Sequence, residues 1–166
     1  SHQERRNRRT ELALEPFFTI GIVGRIEDRK GQHIVLQAVK TLFSRGIQAK
    51  ALVIGAAMDE EYLRDLQKRY AQIGVFTGFT RDVQTLMQLC DVMVLATDNE
   101  TFGLVLIEAM MCGVCVVASN SGGPLEIIDH GQNGMLFETF DSDDLAKTLE
   151  GLYHNPVLRN KLAIAG

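Results

Sequence analysis

No uninterrupted apolar run in the 166 residues approaches the roughly 18 needed to cross a bilayer, and no signal-like segment opens the chain, so a cytoplasmic domain is expected. A basic excess is missing too. The 17 Lys and Arg are outweighed by 21 Asp and Glu, giving a net charge of −4 and a pI near 5.6. Nucleic-acid binders need a dominant basic face to displace counterions, so no nucleic-acid partner is expected. Cysteine is scarce and odd in number. Cys90, Cys112 and Cys115 lie among apolar neighbours, as reduced, buried thiols of a cytosolic protein do. The Cys112–Cys115 spacing is that of a CxxC pair, but CGVC runs from a helix end into a strand, the reverse of the thioredoxin-type arrangement. Histidine is equally sparse. Neither His33 nor His130, the two near candidate loops, has the Cys, His or carboxylate spacing of a metal site, so no metal is expected.

What is present is enough for one domain with a sizeable core: 46% of the residues are hydrophobic and 23% charged. The opening SHQERRNRRTELALEP reads as a tag remnant followed by a polar interdomain linker or frayed helix over residues 1–16, leaving the domain itself at 17–166. Arg5, Arg6, Arg8 and Arg9 in that segment read as solvated charge, with contact to anionic lipid or RNA as the sharper alternative.

Short apolar or β-branched runs alternate with stretches of helical spacing. Strands are expected at Phe17–Val23, Ala49–Ile54, Val75–Thr77, Val92–Ala96, Val114–Ala118 and Gly134–Phe137. The fold class is α/β: repeated right-handed βαβ units give a Rossmann-like, doubly wound parallel sheet of six strands in three layers, α/β/α. In the order 3-2-1-4-5-6 the first and fourth strands are neighbours, and the loops that follow them frame one crevice beyond the strands' carboxyl ends.

Those two loops carry the unusual chemistry. Gly24-Arg25-Ile26-Glu27-Asp28-Arg29-Lys30-Gly31 follows the first strand, and Arg25 and Lys30 would meet a diphosphate through charge-assisted hydrogen bonds. After the fourth strand, ETFGLVLIEAMMCGVCVVASNSGG spans Glu100 to Gly123. Thr101 can cap a helix starting near Phe102, whose free N–H groups and dipole would attract an anion. Glu100 would stand ahead of those amides, and Glu108 within the helix. Two acceptors so placed suit an extended, hydroxyl-rich ligand carrying phosphate. Gly78 and Phe79 after the third strand would admit a flat base. Gly122 and Gly123 after the fifth would admit a sugar or phosphate, and either pair equally fits ordinary turn chemistry. Asp141-Ser142-Asp143 matches a DxD metal signature, but it opens a capped amphipathic run and reads as a helix cap.

Together GRIEDRKG, LVIG, TGFTRDVQTLMQLCDVMVLAT, the E-x7-E of ETFGLVLIEAMMCGVCVVAS, and SGGPLEIIDHGQNGMLF resemble the carboxyl-terminal, donor-binding half of the GT-B glycosyltransferases, in particular the retaining family 4 group. The resemblance covers residues 17 to 155. It implies that Arg25 and Lys30 hold the donor diphosphate, that Glu100 binds hydroxyls of the donor sugar, and that Glu108 accepts the ribose hydroxyls. It further implies that backbone N–H groups of Phe102, Gly103 and Leu104 contact sugar and phosphate, and that Phe79–Thr80 border the base. Transfer with retention, without a cofactor or an obligatory metal, is implied as well, with a nucleotide-sugar donor as partner. The acceptor would be a glycan, a lipid-linked sugar or a small molecule held by an amino-terminal domain, at the cytoplasmic face of a membrane where the acceptor demands it.

Such enzymes have two Rossmann-like domains, and the chain stops at Gly166, ahead of a final crossover helix. The 166 residues alone are therefore expected to bind donor weakly and transfer nothing. A non-catalytic nucleotide or phosphosugar-binding regulatory module on the same fold is the alternative. A receiver-like module would need an acidic cluster at a strand's carboxyl end. A nicotinamide-dependent dehydrogenase half would need G-x-G-x-x-G where the chain reads GIVGRIED.

Overall fold

In the computed structural model, which describes residues 1–166, all of the expected apolar runs become strands. They are β1 (Phe18–Val23), β2 (Ala49–Ile54), β3 (Gly74–Phe76), β4 (Val92–Leu95), β5 (Cys115–Ser119) and β6 (Met135–Phe137). Every pairing is parallel, and the order is β3-β2-β1-β4-β5-β6, so β1 and β4 meet at the switch point as expected.

Burial on both faces explains why the strand sequences are continuously apolar. On one face Ile20, Ile22, Val53, Val94 and Val117 pack under α2 (Gln32–Ser44), α3 (Glu60–Arg69), α7 (Ser142–His154) and α8 (Pro156–Ala165). On the other, Leu52, Ile54, Met93, Leu95 and Val116 pack under α4 (Val83–Gln88), α5 (Leu104–Met111) and α6 (Pro124–Ile127). No helix is long and apolar enough to cross a membrane.

Aspartate side chains cap two helices, that of α7 as the sequence suggests. Asp59 accepts from the N–H of Tyr62, and Asp141 accepts from those of Asp143 and Asp144. The Asp141-Ser142-Asp143 triplet is thus a cap.

The opening segment differs from the expected linker. Residues His2–Glu11 form an ordered helix, α1, docked at the amino ends of β1 and β4. Arg9 is the reason: it is 4% exposed, and its guanidinium donates to the Leu89, Leu14 and Phe17 carbonyls and to Glu15, with Asp91 3.7 Å away. A buried guanidinium whose three nitrogens all donate within the chain is a structural anchor. Arg5 reinforces it by donating to the Gln88 carbonyl at 2.8 Å, while Arg6 and Arg8 remain exposed.

Candidate functional site at the carboxyl ends of the strands

The loops after β1, β2 and β3 extend the ladder beyond the sheet. Gly24 N–H donates to the Ile54 carbonyl at 3.0 Å, Ile26 N–H to Ala56 at 2.9 Å, and Gly55 N–H to Gly78 at 3.2 Å. Gly55 has φ +144°, and a Cβ there would stand 2.0 Å from the Gly24 carbonyl oxygen, so only glycine allows the β1 and β2 loops to touch. Across the switch point, a Cβ on Gly31 would stand 2.5 Å from the Ala96 carbonyl oxygen. The entry to α2 therefore rests directly on the end of β4. The β4 and β5 loops join in the same manner. Gly123 N–H donates to the Glu100 carbonyl at 2.7 Å, and Cβ atoms on Gly122 and Gly123 would reach 2.7 Å and 2.4 Å from the Glu100 and Thr101 carbonyl oxygens. The close approach that Gly122 and Gly123 permit is thus to a neighbouring loop. The loops that follow β1 to β5 are thus joined by backbone contacts into one rim.

The charged groups on this rim are in different states. Glu27 holds Arg25 at 3.7 Å and accepts from Arg29 at 2.9 Å, so Arg25, which is exposed, is pre-engaged by a carboxylate of its own loop. Lys30 is half-buried, its stem lying over Gly24, where a Cβ would be 3.9 Å from Lys30 Cδ. Its ammonium makes no hydrogen bond or ion pair within the chain. Glu108 is exposed one turn into α5 and likewise lacks a partner.

The start of α5 departs from the sequence reading. Thr101 caps nothing: the helix begins at Leu104 behind Gly103, which takes the left-handed conformation at φ +63°. Glu100 does the work assigned to Thr101, its carboxylate accepting from the Gly103 N–H at 3.3 Å. The Gly103 amide is therefore occupied, whereas those of Phe102, Leu104 and Val105 have no acceptor in the chain. Val105 was not singled out from the sequence, because the cap position set the count by which the free amides were assigned. The Phe102 ring is 71% exposed, and so is that of Phe79, at 74%, after β3. Thr80 accepts from the Asp82 N–H at 3.0 Å, shaping the turn beside Phe79.

The remaining polar candidates sit off the rim's edge. The His33 ring and the Tyr62 hydroxyl are 2.9 Å apart, and burial pushes the Tyr62 phenol up to about 12. His130 Nδ1 accepts from the Leu136 N–H at 3.0 Å, blocking the open side of β6. Cys90 and Cys115 are buried, with thiols pushed up by desolvation, that of Cys115 to about 12. Cys112 is only half-buried, at the carboxyl cap of α5, contrary to the expectation of three buried thiols. A groove of about 640 Å³ lined by Ser1, Arg5, Arg8, Gln88 and Leu89 lies between α1 and α4, at the opposite end of the sheet.

A parallel α/β sheet with an unpaired cation in the loop after β1 and free helix amides after β4 carries ligand-ready groups on both sides of its switch point, where folds of this class bind ligands. The family is narrower. The family model for "Glycosyl transferases group 1" matches residues 3–166, and the chain belongs to that family. Among curated relatives, it is 32% identical to the D-inositol 3-phosphate glycosyltransferase of Corynebacterium jeikeium, over 91% of this chain and 39% of the relative. It is 30% identical to the human alpha-1,3/1,6-mannosyltransferase ALG2, over 90% of this chain and 40% of the relative. The chain thus spans about two fifths of the length of the curated relatives it matches. Among solved structures, HepE of Anabaena, in complex with UDP and glucose, superposes with a TM-score of 0.92 at 29% identity, over 99% of this chain and 46% of that one. The carboxyl-terminal domain of LpcC from Francisella tularensis, a group 1 family glycosyl transferase, gives 0.82 at 30% identity, over 96% of this chain and 88% of that one. The fold is the Rossmann-like half of a GT-B glycosyltransferase.

Proposed function

We propose that this chain is the donor-binding part of a retaining glycosyltransferase that takes a nucleoside diphosphate sugar. The carrying observation is the juxtaposition at the switch point: an unpaired Lys30 over Gly24, with Gly31 seated on Ala96, beside a helix start whose Phe102, Leu104 and Val105 amides are free. Lys30, with Arg25 recruited from Glu27, would meet the diphosphate. Glu108 would accept the ribose hydroxyls, Glu100 the sugar hydroxyls, and Phe79–Thr80 would border the base. The HepE complex with UDP and glucose and the glycosyltransferase relatives support this reading.

The physics gives these groups a role in the reaction as well as in binding. As the glycosidic bond to the diphosphate breaks, negative charge grows on the departing outer phosphate. A fixed cation and oriented amides stabilise that charge more than the ground state, so they would raise kcat. The departing phosphate, on the same face as the incoming hydroxyl, would assist its deprotonation. An acceptor glycan, lipid-linked sugar or small molecule would be supplied by a separate domain, and the 166 residues alone would transfer nothing.

The test is an NMR titration of the chain with UDP, GDP and ADP, alongside the double variant Arg25→Ala, Lys30→Ala. One nucleotide is expected to shift amides over Gly24–Gly31 and Phe102–Glu108, and the variant to abolish the response. Unchanged spectra at millimolar nucleotide would overturn donor binding by this chain and leave a phosphosugar-binding regulatory module as the reading of the same fold.

A further inference from the structure

Gln32 stands where a helix's first residue is usually wet, yet it is completely buried. Its side-chain amide donates from Nε2 to the Arg25 carbonyl at 2.9 Å, tying the two ends of the charged loop to each other across seven residues. Its Oε1 is the buried side-chain polar atom that lacks a hydrogen-bond partner. Rotating the amide would not cure this, because Oε1 would then face the Arg25 carbonyl oxygen, acceptor against acceptor.

An orphaned buried acceptor is a cost to the fold, one that a methionine or leucine of similar volume would not carry. Residues kept at a cost to stability belong with geometry that something else requires. Here the geometry is that of Lys30. The loop leaves the sheet at Gly24, turns through Asp28–Lys30, and re-enters at Gly31, which is fixed on Ala96. With Gly31 anchored on Ala96 and the Ile26 N–H held by the Ala56 carbonyl, the Gln32 clasp on the Arg25 carbonyl is the bond that ties this peptide to the start of α2.

We propose that Gln32 is a positioning residue: by clasping the Arg25 carbonyl it holds the turn so that Lys30, unpaired and lying over Gly24, faces the phosphates of the donor. This rests on the donor-binding reading above and adds to it a residue that never touches ligand. A side chain wholly enclosed by protein can act on the ligand only through the loop.

A double-variant cycle on the 166-residue chain tests it, with affinity for the responding nucleoside diphosphate read by NMR titration and stability by thermal melting. Gln32→Met is expected to weaken binding about fivefold, the size of one net hydrogen bond, while the melting temperature stays nearly unchanged, because the orphaned Oε1 is removed as the Arg25 carbonyl loses its donor. In the Lys30→Ala background the same substitution is expected to cost almost nothing further, because the group it positions is gone. A general packing defect would instead lower the melting temperature and weaken binding equally in both backgrounds. That result, or no loss from Gln32→Met where Lys30→Ala does lose affinity, overturns the positioning role and leaves donor binding standing. A chain that binds no nucleotide overturns both. Should Gln32→Met fail to fold, Gln32→Leu, which also lacks the donating amide and buries no charge, enters the same cycle with the same expected non-additivity.

Discussion

The two ends of the sheet treat positive charge in opposite ways. At the amino end, Arg9 is buried and every nitrogen of its guanidinium donates to a carbonyl or carboxylate of the chain. At the carboxyl end, Lys30 is half-buried and matched to nothing. A satisfied charge holds structure in place; an unsatisfied one beside free amides is capacity for a ligand. Proximity to a strand end does not separate these roles, and the count of partners does.

Breaking the first half of this contrast should have the largest effect. Arg9→Met removes four hydrogen bonds made by a buried charged group, to Glu15 and to the Leu14, Phe17 and Leu89 carbonyls, and is expected to cost about 3–5 kcal/mol of unfolding free energy, measured by denaturant titration. Below its melting temperature the variant should still bind nucleotide, since the rim is at the other end of the sheet. Equal loss of binding and stability would show that the two ends are not separable.

Lys30→Ala is the opposite case. With no partner to lose, it is expected to change stability by no more than about 0.5 kcal/mol. In an intact glycosyltransferase containing this domain it should lower kcat by about a hundredfold, as removal of one transition-state donor does elsewhere. A raised KM with unchanged kcat would assign Lys30 to ground-state binding alone.

The smallest effect sharpens the comparison at the rim's flank. Burial raises the Tyr62 phenol from its ordinary value near 10 to about 12, so the folded chain keeps a proton that the unfolded chain releases. Stability contributed by the neutral phenol is complete below pH 10 and falls as pH rises from 10 toward 12. Tyr62→Phe should flatten that part of the alkaline melting profile, while Lys30→Ala leaves it unchanged.

Much of the fold is legible in the chain because parallel strands covered on both faces must be apolar throughout, as in LVI of β2 and CVVAS of β5. The candidate loops are legible for a related reason: Gly24-Arg25 and Lys30-Gly31 interrupt apolar patterning with charge and glycine just where strands end. Arg9 was illegible because its partner Leu89 lies 80 residues away, and nothing local distinguishes a buried arginine from three neighbours in the same basic run. The start of α5 was misplaced because Thr101 and Glu100 can both satisfy the first amides. The left-handed turn at Gly103 decides for the carboxylate. Gln32 escaped notice since its neighbours QHIVLQAV read simply as an amphipathic helix.

The glycine contacts that join the rim loops also divide it into two classes of position. At the roots, Gly31, Gly55, Gly122 and Gly123 touch a neighbour's backbone, and any side chain would push two loops apart at once. At the tips, Met58, Phe79 and Phe102 stand in solvent with 61%, 74% and 71% of their surface exposed. Variation in such a domain is therefore confined: the tips can be rewritten one at a time without disturbing the frame, while the roots can change only in concert. An engineer seeking a new ligand preference would randomise the tips and leave the roots untouched.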